Sequence, residues 1–154
     1  MTAGGGGSDR ADVTSDAVVV LTSLFEPAGD QDDDDSWRRL GSLGASFFCF
    51  RLLHALLERA LGRGAEASVP AYARDAHGRS PAPAPPRWLI EAVCRATLGE
   101  AELVGGIDPD DLFQVGGLLI RDLVGVLALP DGELADLIDR VARLPVPAEL
   151  AEPS

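Results

Sequence analysis

A proline-rich segment near the middle of the chain limits what this sequence can fold into. The segment SPAPAPP, from Ser80 to Pro86, places four prolines within seven residues. Proline has no backbone N–H and clashes with the preceding helical turn, so a regular helix does not continue through such a run. The composition is typical of a semi-rigid, polyproline-like linker. We therefore predict that residues 80–86 divide the 154-residue chain into two small halves.

The right half carries clear helix signals between its prolines and glycines. Pro86–Gly99, PRWLIEAVCRATLG, begins with proline and ends with glycine, as many helices do. After an acidic loop over Glu100–Asp111, the segment Leu112–Leu129 has one apolar side in a helical projection. Pro130–Leu144 predicts a third helix, and Pro145–Glu152, PVPAELAE, predicts a short fourth one.

The left half repeats this order. Three consecutive valines in Asp16–Phe25 would suit a strand, but the spacing of its apolar residues favours a helix. An acidic loop over Glu26–Trp37 precedes a long helix that is expected to start near residues 45–46 and to stop at Gly62. Val69–Gly78 adds a terminal piece of one or two turns. Because no segment alternates with period two over a strand's length, the predicted fold class is all-α.

The predicted architecture is two small helical bundles in tandem, joined by the Pro/Ala-rich linker. Residues 1–12 are rich in glycine and aspartate and are predicted to be a disordered tail. The first bundle is expected over residues 13–79. The linker covers 80–86, and the second bundle covers 87–152.

Composition excludes several classes of function. Thirteen basic and 25 acidic residues give a net charge of −12, whereas a nucleic-acid-binding surface needs a basic footprint. All thirteen basic residues are arginine, so a Schiff-base or P-loop lysine is excluded. Cys49 and Cys94 lie in apolar segments and are predicted to be buried thiols of a reducing compartment. With His54 and His77 as the only histidines, we predict no metal site.

The sequence also predicts the location of the protein. No stretch reaches the ~18 uninterrupted apolar residues that a membrane-spanning helix needs. The segment MTAGGGGSDRAD has neither the basic start nor the apolar core of a signal peptide. We therefore expect a cytoplasmic protein without membrane insertion.

Both halves run from a helix through an acidic loop and a glycine-containing corner into a helix with one apolar face. On the right, this order is found in the segments WLIEAVCRATLG, GIDPDDLFQVGG and PVPAELAE. On the left, it is found in DDDDSWRRLG and ASFFCFRLLHALLERALG. These segments resemble the acyl and peptidyl carrier proteins, which are four-helix domains of biosynthetic enzymes. The resemblance implies a 4′-phosphopantetheine arm on the serine that starts the second helix, here Ser46. Ala45 and Phe47 replace the family's usual aspartate and leucine, and Gly117 replaces the serine on the right, so that half cannot be loaded.

Ser46 also has a plain structural interpretation. A serine before an apolar helix is a good N-cap, since its hydroxyl accepts a hydrogen bond from a free backbone N–H. The same helix terminus would stabilise a phosphodiester through the positive end of its dipole. The position of Ser46 therefore leaves both interpretations open.

Two helix surfaces, one on the helix that follows Ser46 and one on Leu112–Leu129, are candidate sites for partner docking. The alternative is that both are ordinary solvated faces, the first of them with an i,i+4 pair between His54 and Glu58. The opposite face of the left-hand helix is predicted to be buried through Cys49, Leu53, Leu56, Leu57 and Ala60. On the right, Arg121 and Asp122 fall on the polar side, so no buried ion pair is expected there. The candidate docking residues are Phe47, Arg51, His54, Glu58, Gln114, Gly117 and Arg121.

The predicted function is that of a non-catalytic carrier in a polyketide, fatty acid or nonribosomal peptide type of pathway. It would present a thioester on Ser46, with a phosphopantetheinyl transferase and biosynthetic enzymes as partners. The alternative is an unmodified helical docking or scaffold protein that acts only through protein–protein contacts. No nucleophile–base pair, metal cluster or phosphate loop is evident, so we expect no enzymatic activity.

Overall fold

The computed structural model describes residues 5–25 and 34–146. Within these ranges the chain forms seven helices and no strand, so the predicted all-α class is confirmed. The helices are α1 (Gly5–Ser23), α2 (Asp34–Leu61), α3 (Ala65–Arg79), α4 (Arg87–Thr97), a 3-10 helix (Ala101–Val104), α5 (Pro109–Leu127) and α6 (Asp131–Ala142).

Helices α1 and α3, like α2 below, are longer than the sequence signals predicted. Helix α1 begins at Gly5, so residues 5–12 of the predicted disordered tail are helical. Helix α3 has 15 residues instead of one or two turns, and it continues through Pro70. Its buried residues Val69, Tyr72, Ala73 and Ala76 recur at helical spacing, so burial of this face outweighs the proline's lost hydrogen bond.

Helix α2 begins at Asp34 and not near residues 45–46. The predicted acidic loop over Glu26–Trp37 is therefore wrong for residues 34–37. Residues 26–33 of that loop lie outside the described part of the chain. The helix bends by 98° between the arms Asp35–Gly41 and Leu43–Leu61. Gly41 has a φ of 73° and a ψ of 167°, which only glycine adopts readily. The predicted glycine corner before the helix is therefore a kink inside it.

Among the described residues, no single helix is long and apolar enough to cross a membrane. The two arms of α2 reach that length and composition only when taken together across their bend. Neither observation assigns the protein to a compartment.

One compact unit combines Met1–Phe48 with Pro130–Ser154. Within it, α1 packs against α6, and each helix buries an apolar face. The first arm of α2 is tied to α1 by Arg39, whose Nε lies 2.9 Å from Oδ2 of Asp16 and whose Nη2 lies 2.8 Å from Oδ1. The buried apolar residues of this pair of helices are Ala17, Val20, Leu21, Leu137, Ile138, Val141 and Ala142.

The other compact unit is the continuous segment Cys49–Leu129. Within it, α4 packs against α3, α5 and the 3-10 helix, and α3 also contacts α5. A methyl group on Gly116 would stand 3.4 Å from Cε1 of Phe50, so α5 comes close to that ring. The fully buried large side chains of this unit are Leu52, Leu53, Leu56, Leu57, Val69, Ile90, Leu119, Ile120 and Leu123.

The predicted tandem of two bundles is not confirmed. The two units do not coincide with residues 13–79 and 87–152, and the predicted linker 80–86 lies inside the second unit. The helices on either side of that segment pack against each other, because the apolar faces of α3 and α4 each need a partner. Ser80 ends α3 by donating its hydroxyl to the carbonyl of Ala76 at 2.7 Å, and the chain turns back there.

Candidate functional site

Ser46 lies one turn inside the second arm of α2, Leu43–Leu61, and is only partly exposed. The N-cap interpretation is therefore wrong for Ser46, because a capping residue has non-helical backbone angles and Gly41 holds those here. Its neighbour Ala45 is buried. The electrostatic field at a helix N-terminus stabilises negative charge, but it weakens within the first turn. It would therefore stabilise a phosphodiester on Ser46 less than one on a residue at the break.

The amphipathic projection of α2 agrees with the structure. Cys49, Leu53, Leu56 and Leu57 are buried as predicted, while Ala60 is half-buried. On the predicted docking stripe, Arg51 and Glu58 are exposed, and Phe47 and His54 are partly exposed. Nδ1 of His54 lies 3.2 Å from Oε1 of Glu58, which confirms the predicted i,i+4 pair. Docking on this stripe stays a prediction.

Two of the three predicted docking residues of α5 are exposed, and docking there stays a prediction. Gln114 and Arg121 are exposed, but Gly117 is buried together with Val115 and Gly116. Gly117 is therefore excluded from that surface. The helical projection placed it on the polar side because glycine has no side chain to mark it as apolar, whereas the packing of α5 covers this part of the helix.

Asp122 forms an ion pair that the helical projection did not predict. Its side chain is 14% exposed and accepts two hydrogen bonds from Arg79, from Nε and from Nη2, both at 2.9 Å. The hydroxyl of Tyr72 donates a third at 2.8 Å. Burial alone would raise the pKa of Asp122, but the hydrogen bonds from Arg79 and Tyr72 lower it below its ordinary value. The expectation of no buried ion pair at this position is confirmed, since Arg121 and Arg79 are exposed and Asp122 is only half-buried.

The second unit contains an apolar groove of about 470 Å³ that the sequence analysis did not predict. It lies between the proline-rich segment, the start of α4 and one side of α5. Trp88 borders it with 63% of its surface exposed. The lining residues are Pro83, Pro85, Pro86, Trp88, Leu89, Ile107, Asp111, Gln114, Val115 and Leu118.

Local sequence explains how this groove is built. Pro86 precedes α4 with extended backbone angles, so Trp88 is the second residue of the helix and lies beside the proline segment. On α5, Asp111, Gln114, Val115 and Leu118 follow the i, i+3, i+4, i+7 spacing of a single helix face. The signal in the sequence was the PPRW tetrapeptide, in which an aromatic residue begins a helix directly after prolines.

The groove has one charged residue in its lining, and that residue is acidic. Asp111 is its one ionisable lining residue, and Glu100–Asp111 holds five carboxylates and no basic residue. Asp108 caps α5 by accepting a hydrogen bond from the backbone N–H of Asp110 at 2.8 Å. Arg87, exposed at the start of α4, is the basic residue next to Trp88 in sequence.

The predicted burial of both cysteines is confirmed. Cys49 and Cys94 are free and buried, and burial raises the pKa of each thiol to about 12. A thiol with such a pKa stays protonated near neutral pH and is a poor nucleophile. In the described ranges, no three His, Cys, Asp or Glu side chains are grouped so that they could hold a metal ion.

We compared the chain with known protein families, with curated proteins and with solved structures. None of them matches. Any functional assignment therefore depends on the geometry of the chain itself. The groove offers an apolar contact area with few polar groups, a combination common in ligand-binding pockets.

Proposed function

We propose that this protein is a non-catalytic helical docking protein that acts through protein–protein contacts. The groove beside Trp88 carries the proposal. Trp88 leaves most of its surface in water and lies beside other apolar lining residues, and tryptophan is enriched among residues that dominate binding energy. A partner side chain in the groove would remove this apolar surface from water.

The polar groups of the groove support binding in preference to catalysis. Only Asp111 and Gln114 contribute polar side chains to its lining, and neither is accompanied there by a nucleophile or a second titratable group. A general acid–base mechanism needs such a pair within hydrogen-bonding distance of a substrate. The two polar residues are better suited to orienting a bound partner.

The experiment that tests this function places a photo-crosslinking amino acid at position 87 of the full chain, next to Trp88 and outside the groove lining. Proteins captured in the native cells would be identified, purified and titrated against the wild type, Trp88→Ala and Val126→Ala. Val126 is a matched control, since it is 50% exposed on α5 and does not line the groove. We expect Trp88→Ala to weaken binding by about tenfold or more and Val126→Ala to leave it unchanged. Equal affinity for all three proteins would overturn the proposal.

A second proposal is the carrier function at Ser46. It is supported by the partial exposure of Ser46 and by the exposed Arg51 and Glu58 further along the same helix. A phosphopantetheinyl transferase would attach 4′-phosphopantetheine to the hydroxyl, and biosynthetic enzymes would then meet the thioester.

Intact-mass measurement after co-expression with a broad-specificity transferase tests the carrier function. The mass of one arm should be added to the wild type and to Ser42→Ala, and it should be absent from Ser46→Ala. An unmodified wild type, folded and treated with several transferases, would exclude a carrier.

A further inference from the structure

We propose that the groove binds an amphipathic helix of a partner protein, with bulky apolar side chains on one face and arginine or lysine at the border of that face. The inference rests on the docking function proposed above and names the chemistry of the partner. Three properties of the groove lead to it: its apolar lining, the three prolines in that lining, which have no backbone N–H, and its charge.

The lining determines the apolar face of the partner. Trp88, Ile107 and Leu118 are at least partly exposed, and they border the groove together with three prolines. Its volume of about 470 Å³ is within the usual ~300–1,000 Å³ range of ligand pockets. One or two large apolar side chains, such as leucine and phenylalanine, would use this space, and a polar chain would lose its hydration without gaining hydrogen bonds.

The backbone of the groove favours a helix over an extended peptide. An extended ligand needs backbone donors and acceptors from its host, as at the edge of a sheet. Pro83, Pro85 and Pro86 have no N–H. The carbonyl oxygen of Pro85 already lies 2.9 Å from Nδ1 of His77. A helical ligand satisfies its own backbone and can bind through side chains alone.

The negative charge in the groove lining favours a basic partner. Asp111 lies in the lining, and the segment Glu100–Asp111 that leads to it contributes five carboxylates without a basic residue. An arginine or lysine beside the apolar anchor would pair with the carboxylate of Asp111. A second copy of this chain would bring a further net charge of −12, so self-association through the groove is disfavoured.

Fluorescence anisotropy with a synthetic probe tests the inference on the full chain. The probe is a labelled helix of about 18 residues, or five turns, with leucine and phenylalanine on one face and arginine at its borders. One matched peptide replaces arginine with glutamate, and another replaces leucine and phenylalanine with serine. Each is titrated against the wild type, Trp88→Ala, Asp111→Asn and the Val126→Ala control, with circular dichroism to verify folding and size-exclusion chromatography to follow oligomeric state.

We expect the arginine peptide to bind at least about tenfold more tightly than either matched peptide. Trp88→Ala should weaken it by about tenfold, and Asp111→Asn by about threefold with a smaller dependence on salt. Val126→Ala should bind like the wild type. Equal binding of the glutamate peptide, or loss of a dimer in Trp88→Ala, would overturn the inference.

The two proposals fail in different ways. If the crosslinked partner depends on Trp88 but the arginine peptide does not bind, the partner chemistry is wrong and the docking function stands. If neither the crosslinked protein nor any peptide depends on Trp88, both proposals are wrong.

Discussion

Arg79 and Asp122 are joined by two parallel hydrogen bonds of 2.9 Å, although 43 positions separate them in the chain. The pair links the end of α3 to α5. Its carboxylate is the less exposed partner, and Tyr72 donates to it as well. Removal of Arg79 would therefore leave a half-buried carboxylate with the one hydrogen bond from Tyr72.

We expect Arg79→Met to lower the free energy of unfolding by about 1–3 kcal/mol, because breaking such a pair leaves a charge undercompensated. Urea denaturation followed by circular dichroism measures the change. Arg74→Met is the control, since Arg74 is exposed and pairs only with its neighbour Asp75; we expect a change below about 0.5 kcal/mol. Equal effects of the two substitutions would show that the pair with Asp122 does not stabilise the fold.

Stability should also depend on the protonation of Asp122. Its pKa in the folded protein lies below the ordinary value of 3.8, so the unfolded chain binds a proton more readily than the folded one. The stabilisation is complete above the ordinary pKa and is lost as the pH falls through the folded value. Urea denaturation between about pH 2 and 6 should show this loss in the wild type and a smaller one in Asp122→Asn. Identical pH profiles would contradict the assignment.

Two adjacent arginines on the first arm of α2 should differ in their effect on stability. Arg39 binds the carboxylate of Asp16, whose side chain is 9% exposed, whereas Arg38 is 79% exposed and lies 3.8 Å from Asp35. We expect Arg39→Ala to cost about 1–3 kcal/mol and Arg38→Ala less than about 0.5 kcal/mol. Thermal and urea denaturation of the full chain compare them. A larger effect of Arg38→Ala would contradict the described contact.

Two glycines of α2 should respond to alanine with opposite signs. Gly41 has positive φ, so Gly41→Ala should destabilise the protein by about 1–2 kcal/mol. Gly44 lies in the helix, and a methyl group there would meet Cβ of Leu40 at an ordinary 3.5 Å. Gly44→Ala should therefore stabilise by up to about 1 kcal/mol. Denaturation midpoints measured in parallel decide this; destabilisation by both substitutions to the same degree would contradict the kink.

Local features were predictable from the sequence, and long-range ones were not. Proline and glycine at the ends of α4 predicted that helix. Helical spacing predicted the buried face of α2 that includes Leu53 and Leu57. The length of α3 depends on burial of a face that crosses Pro70, which outweighs the local signal. The partner of Asp122 and the groove at Trp88 arise where segments distant in sequence meet, and no periodicity encodes such a meeting.

The packing of α1 against α6 can form only after α6 has been synthesised. Helix α1 leaves the ribosome when its packing partner, which starts at Asp131, has not yet been translated. The segment Cys49–Leu129, by contrast, is continuous and can complete its own packing while translation proceeds. A nascent chain that stalls before Asp131 therefore carries α1 without the helix that covers Ala17, Val20 and Leu21 in the folded protein.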